Sequence, residues 1–444
     1  MANNESYEQE MERREYRHRR RVRNQIIVYI VMAIIVIGLM GGAAYGVKHI
    51  MSVVEDKKHA QELQQQLEEL SEMEVEAPVI EAPIEEPKQE EPVEEKSYLD
   101  EIVDSCISEM PIEDKVAGLF MITPEALTDI DLAIRAGDTT KEKLGEYAVG
   151  GLIYFSENMR SADQLKEMLQ NTKIYSKYPV FLGVEEEGGK VSRVAKSGLA
   201  DNAGKAADIG TSGDPQKAKD AGAATGTYLA EFGFNLNFAP VADVNIAENS
   251  YIGERAYGND VGQVGSMVAA AVEGIQGTGV SACLKHFPGL GSTTEDPHAG
   301  MAGTERSFDE FAQEELTVFR AGIDAGVDFV MVSHLSVPGI TGDNTPSSLS
   351  SIVINDVLRG QMEYDGIVIT DAMNMGAITA YYTADQAAVM ALQAGADMIL
   401  IPEDFETAYK GVLEAVNNGT LTEERIDESL RRIFRVKYKN KVEQ

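Results

Sequence analysis

The chain has 444 residues, with 39 Lys plus Arg against 73 Asp plus Glu, a formal net charge of −34, 43% hydrophobic residues, 40 glycines and two cysteines. This is a globular composition, which excludes a collagen-like or wholly disordered chain. The acidity argues against nonspecific nucleic-acid binding, and two cysteines exclude a disulfide scaffold or an all-cysteine zinc site.

Residues 1–25 form a basic tail containing Arg13, Arg14, Arg17, Arg19, Arg20, Arg21 and Arg23. Ile26 to Val47 follows as an uncharged run of 22 residues. Its length suits a transmembrane helix, and the arginines before it predict a cytoplasmic N-terminus. A cleaved signal peptide is the rival reading. Residues 48–72 read as a helical stalk. Ala60, Leu63, Leu67 and Leu70 allow a short coiled coil and a weak homodimer, or equally a solvated spacer. Residues 73–96 carry nine glutamates and four prolines and are predicted to be an extended, self-repelling linker. The expected location is the cell membrane, single-pass, with residues 97–444 outside.

From Ser97 onward, short Val/Ile/Phe-rich runs alternate with longer Ala/Glu/Lys-rich stretches, as in repeated βα units. Strands are predicted near Gly118–Ile122, Gly151–Phe155, Val180–Glu185, Asn235–Ala239, Ala282–Phe287, Phe329–His334, Gly366–Asp371 and Asp397–Ile401. Helices are predicted between them, among them Ser161–Asn171, Pro215–Phe232, Val261–Gln276 and Phe308–Ala325, with Thr422–Tyr438 last. Eight such units predict an α/β fold, a (β/α)8 TIM-type barrel, preceded by the transmembrane helix and the acidic linker. No GxGxxG after the first strand and no GxxxxGK[ST] loop is present, which disfavours nucleotide chemistry.

Several predicted strands end in a charged or polar residue: Glu185, Lys285 with His286, His334, and Asp371. A barrel gathers such ends at its C-terminal mouth. In CLKHFPGLGSTTEDPHAG (283–300), Asp296 and His298 stand two residues apart. A carboxylate on one imidazole nitrogen leaves the other free to exchange a proton with a ligand, although the pair would also serve merely to stabilise a turn. Asp371, in YDGIVITDAMNMG, reaches the mouth directly, with Met373 and Met375 as a possible wall; a helix-capping role is the plain alternative. GVEEEGGKVSR offers Glu185, Lys190 and Arg193 as polar partners for a ligand. GERAYG adds Arg255, placed either on a ligand or on Asp243. His286, Asp296, His298 and His334 are acceptable zinc ligand types, but the spacing matches no zinc motif and Lys285 would oppose a cation.

Together IEDKVAGLF, GGLIYFSEN, EEEGGKVSR, NFAPVADVN, GERAYG, KHFPGLG, DPH and ITDAMNM resemble glycoside hydrolase family 3, in its β-N-acetylhexosaminidase branch, over about residues 110–435. The resemblance implies a retaining, exo-acting hydrolase that releases terminal N-acetylglucosamine from cell-wall fragments or related glycans. It implies Asp371 as nucleophile and His298 as acid/base, oriented by Asp296. Glu185, Arg193, Arg255, Lys285 and His286 would surround the sugar with Met373 nearby, and no cofactor or metal would be required. A bacterial, Gram-positive surface suits the expected anchoring. The chain departs from the family pattern at Glu185, Lys190, Leu290, Pro297 and Ala372. The alternatives are a β-glucosidase or other β-glycosidase, or a wall-glycan binding protein with an impaired site.

Overall fold

The computed structural model describes residues 97–442. Along them run β1 (Phe120–Ile122), β2 (Gly151–Tyr154), β3 (Phe181–Val184), β4 (Glu186–Gly188), β5 (Val191–Ser192), β6 (Leu236–Asn237), β7 (Ser281–Phe287), β8 (Phe329–Val332), β9 (Ile367–Thr370) and β10 (Ile399–Leu400). Eight of them pair in parallel in the order β10-β1-β2-β3-β6-β7-β8-β9, while β4 and β5 form a separate antiparallel hairpin. A parallel bridge between Ile369 and Met398 carries β9 back to the residues before β10. Bonds from Met398 N to Val368 O and from Thr370 N to Met398 O, each 3.1 Å, join the two ends of the sheet. The result is an α/β barrel of eight parallel strands. All eight are buried throughout, as expected for strands covered by helices outside and packed side chains inside.

The strands fall at the predicted positions, seven of them shorter than predicted and β7 beginning one residue earlier, at Ser281. Around β6 the side chains replace ladder bonds. Asn235 Oδ1 accepts from Leu182 N at 2.6 Å. Asn237 accepts from Glu186 N and donates to Glu186 O, both at 3.0 Å, which ties the hairpin to the barrel. Local chemistry sets the helix ends. Helix Pro215–Phe232 starts on Asp214, whose carboxylate accepts from Gln216 N, and stops at Gly233 with φ 106°. Helix Val261–Gln276 starts on Asp260, which accepts from Gln263 N. The predicted helix Phe308–Ala325 is divided at Glu314 into Phe308–Gln313 and Glu315–Asp324. The break lets Glu314 and Glu315 both face Arg306, at 2.5 and 3.4 Å.

One part of the expected architecture is corrected. The basic tail, the transmembrane helix 26–47, the stalk 48–72 with its dimer contact, and the linker 73–96 lie outside the described residues. Among the described residues no helix is long and apolar enough to cross a membrane. Their large apolar side chains are mostly consumed by the barrel core, from Val103 to Phe434. Among the described residues the fold is the barrel. The described residues give no support to the expected spanning helix, to the membrane as a partner or to a single-pass cell-membrane location.

Candidate active site

The mouth starts at the end of β3. Side chains alternate along an extended chain, so Glu185 and Glu187 share one side and Glu186 takes the other. Glu186 is a structural group. It accepts from Val194 N (2.7 Å), Ala195 N (3.0 Å) and the Tyr228 hydroxyl (2.9 Å), and burial raises its pKa. Gly188 turns the hairpin at φ 100°, where an added Cβ would lie 2.3 Å from Gly204 O.

Glu185 and Glu187 converge on Lys285, which has no solvent exposure. Its Nζ donates to Glu185 Oε1 at 2.8 Å and lies 2.7 Å from Glu187 Oε1. Arg193 donates to Glu185 Oε2 at 2.5 Å, and its guanidinium lies 5.4 Å from the centre of the Phe155 ring. Arg255 grips Glu187 with two bonds, Nε at 2.9 Å and Nη2 at 2.8 Å. Burial alone would raise the pKa of both glutamates, but Lys285 with Arg193, or Lys285 with Arg255, outweighs it and lowers both. Burial would likewise lower that of Lys285, and the two glutamates outweigh it and raise it.

The next residue, His286, is held differently. Its Nδ1 lies 2.7 Å from Oδ2 of Asp243, a fully buried carboxylate that also accepts from Leu290 N at 2.6 Å. The opposite nitrogen, Nε2, lies 3.3 Å from Arg255 Nη2. Asp243 thus fixes the proton on Nδ1 and leaves Nε2 to accept. His334 is a buried brace: Nδ1 meets Ser348 Oγ at 2.8 Å, and Nε2 donates to Ala372 O at 2.9 Å. Desolvation, the dominant influence, lowers its pKa, which suits the neutral ring.

Asp371 follows β9. Its N donates to Val332 O (2.8 Å), and its Oδ1 accepts from Ala372 N (2.8 Å). It lines a cavity of about 240 Å³ together with Glu185, Arg193, His298, Phe155 and Met375, among others. His298 reaches that cavity from the loop after β7. The loop is pinned to the one after β9 by Gly376 N to His298 O and Ala377 N to Pro297 O, both 3.2 Å. Asp296 Oδ1 lies 3.0 Å from His298 Nδ1 and accepts from His298 N at 2.9 Å. Burial would raise the pKa of Asp296, but bonds from His298 outweigh it and lower it.

Four of the residues singled out from sequence, Glu185, Arg193, His298 and Asp371, share the cavity wall. Lys285, Arg255 and His286 stand behind or beside it, and Asp296 backs His298. Met373 is instead packed in the core, 2% exposed, and the wall is made by its neighbours Asn374 and Met375. Arg255 pairs with Glu187 rather than with Asp243. Glu187 was not singled out by sequence reasoning, although strand alternation from Glu185 identifies it. Tyr251 was also missed, and no motif marks it. The zinc grouping is not assembled: among the described residues no cluster of three His, Cys, Asp or Glu side chains could hold a metal ion.

A carboxylate and an imidazole supplied by different loops to one cavity, beside fixed hydrogen-bond donors, suit acid/base-assisted displacement at a polar substrate. The sequence pattern of the glycosyl hydrolase family 3 N terminal domain matches residues 111–436. The chain belongs to glycosyl hydrolase family 3. Like its family, it is a glycosidase that acts on glycosides by hydrolysis or transfer. A β-hexosaminidase of Hydrogenovibrio crunogenus is 33% identical over 271 residues, covering 60% of this chain and 74% of the relative. The structure of a family 3 β-N-acetylglucosaminidase from Paenibacillus sp. FPU-7 is 34% identical with a TM-score of 0.69, covering 76% of this chain and 64% of that one, just under two thirds. A β-N-acetylhexosaminidase from Beutenbergia cavernae is 26% identical with a TM-score of 0.66, covering 74% of this chain and 99% of that one. These likenesses fit the hexosaminidase branch of glycosyl hydrolase family 3.

Proposed function

We propose that the protein is a retaining, exo-acting β-N-acetylhexosaminidase that releases terminal N-acetylglucosamine from cell-wall fragments or related glycans. One observation carries the reading: Asp371 and His298, from two different βα loops, line the same small cavity, and backbone bonds tie those loops together. An Asp371 oxygen attacks C1 and forms a glycosyl ester as the C1–oxygen bond to the leaving group breaks. His298 Nε2 gives its proton to the departing oxygen, with Asp296 holding Nδ1. Water then attacks C1, losing its proton to Nε2, and Asp371 is released with the configuration retained. Glu185 and Arg193 contribute an acceptor and donors to the sugar, held in place by Lys285, Glu187 and Arg255. The names of the relatives above support the choice of sugar.

The test is turnover of aryl β-N-acetylglucosaminide, β-glucoside and β-xyloside by wild type and Asp371→Asn. The amino-sugar substrate is expected to be preferred, and the substitution to cost on the order of 10⁴-fold in kcat. Unchanged activity in Asp371→Asn removes the nucleophile. A preference for the β-glucoside replaces the substrate.

A further inference from the structure

His298 has a second neighbour besides Asp296. Tyr251 lies on the loop after β6, four residues before Arg255, and its hydroxyl is 3.1 Å from His298 Nδ1. Its backbone N donates to Thr293 O at 2.9 Å, so it is fastened to the start of the His298 loop. The two rings are tilted at 43° to each other with 6.5 Å between centroids. A carboxylate oxygen 3.0 Å from Nδ1 requires a proton between them, so Nδ1 carries it toward Asp296. The phenol stands beside the same pair, and its interaction with Asp296 favours the ionised carboxylate.

We propose that Tyr251 is a positioning residue for His298: its phenol clamps the Asp296–His298 pair from the β6 side and keeps Nε2 directed at the cavity. The clamp has a reason in this structure. The His298 and Asp296 side chains are 64% and 50% exposed, so packing does not orient the imidazole. A hydrogen bond from an element that also carries Arg255 ties its orientation to the sugar-binding side. The phenol also takes up part of the negative charge of Asp296. The inference rests on the acid/base reading of His298 given above.

The experiment compares full-length wild type, Tyr251→Phe, Tyr251→Leu and His298→Ala on aryl β-N-acetylglucosaminides with a poor leaving group (phenyl) and a good one (2,4-dinitrophenyl). The poor leaving group needs the proton, and the good one does not. Tyr251→Phe is expected to lower kcat for the phenyl substrate about tenfold, with KM within about twofold and the dinitrophenyl substrate little changed. The pH limb of kcat/KM set by the Asp296–His298 pair is expected to move upward, because the carboxylate regains its full charge. A Tyr251→Phe enzyme with wild-type leaving-group dependence and pH profile, beside a damaged Tyr251→Leu, overturns the proposal and leaves only packing. If Tyr251→Phe melts early, 3-fluorotyrosine at position 251 keeps the ring and makes a stronger donor. The limb is then expected to move downward, and an unmoved limb overturns the clamp. If His298→Ala leaves the phenyl substrate untouched, the acid/base reading itself falls. If His298→Ala destroys that activity while Tyr251→Phe equals wild type, Tyr251 alone is removed.

Discussion

The two sides of the mouth hold charge in different ways. On the β3–β7 side, Lys285 is fully buried against Glu185 and Glu187, and Arg193 and Arg255 complete the network. On the loop after β7, the side chains of His298 and Asp296 are 64% and 50% exposed. Buried charges must be matched partner by partner, because each one left alone pays its full desolvation cost. That requirement makes the first side rigid and well suited to orienting a ligand. The exposed pair is cheap to hold and free to exchange protons, and its orientation depends on a few hydrogen bonds.

Substitutions are expected to separate the two sides. Lys285→Ala leaves the buried Glu187 and the partly exposed Glu185 carboxylates without their shared cation. A stability loss of about 3–5 kcal/mol is expected in denaturant titration, together with loss of turnover. A loss under about 1 kcal/mol would show that water replaces the lysine and that the network is not rigid. His298→Ala removes an exposed ring. Unfolding free energy is expected to stay within about 0.5 kcal/mol, while kcat falls roughly 10²–10⁴-fold for poor leaving groups. A clear drop in stability would show that the fold leans on the exposed side as well.

The pH dependence of the melting temperature probes the buried side by itself. Glu185 and Glu187 titrate below their ordinary range in the fold, so their contribution is complete above the unfolded value of about 4.3 and is lost as pH falls below it. Lys285 titrates above its ordinary range, so its contribution is complete below about 10.4 and is lost as pH rises through its folded value. The melting temperature is expected to fall below about pH 4, and less steeply in Glu187→Gln. Equal acid slopes for the two proteins would assign the loss to other carboxylates.

Glu315 gives the smallest expected effect. It is buried beneath Gly289, where an added Cβ would lie 2.5 Å from Glu315 Cγ, and its Oε1 has no hydrogen-bond partner. Burial pushes its pKa up to about 8. A carboxyl group raised in the fold costs stability as pH climbs from about 4.3 toward that value. Glu315→Gln is therefore expected to gain about 1–3 kcal/mol at pH 8 and little at pH 4. An equal effect at both pH values would point to a packing change instead.

Much of the barrel was legible in the chain. Buried parallel strands need continuous apolar runs, and those runs stand out at Phe181–Val184, Phe329–Val332 and Ile367–Thr370. Asp371 was legible too, because a polar residue closing such a run can leave the core only at the mouth, whereas the Lys285–His286 pair falls inside β7 and Lys285 stays buried. Helices Pro215–Phe232 and Val261–Gln276 were legible at their full length, and the structure adds the caps Asp214 and Asp260 just before them. The division of the helix at Glu314 was hidden, since it depends on Arg306 and on the space beneath Gly289.

What the sequence determined by itself is the order of the strands along the chain and the stretch in which each one lies, because burial and backbone geometry act over neighbouring positions. Tertiary structure decided which charge meets which. Lys285 finds Glu185 a hundred positions away, Arg255 takes Glu187 and leaves Asp243 to His286, and Met373 turns into the core while Met375 faces the cavity. Those choices depend on distances across the mouth that closure of the barrel sets, and a buried charge is stable only where that geometry supplies its partner.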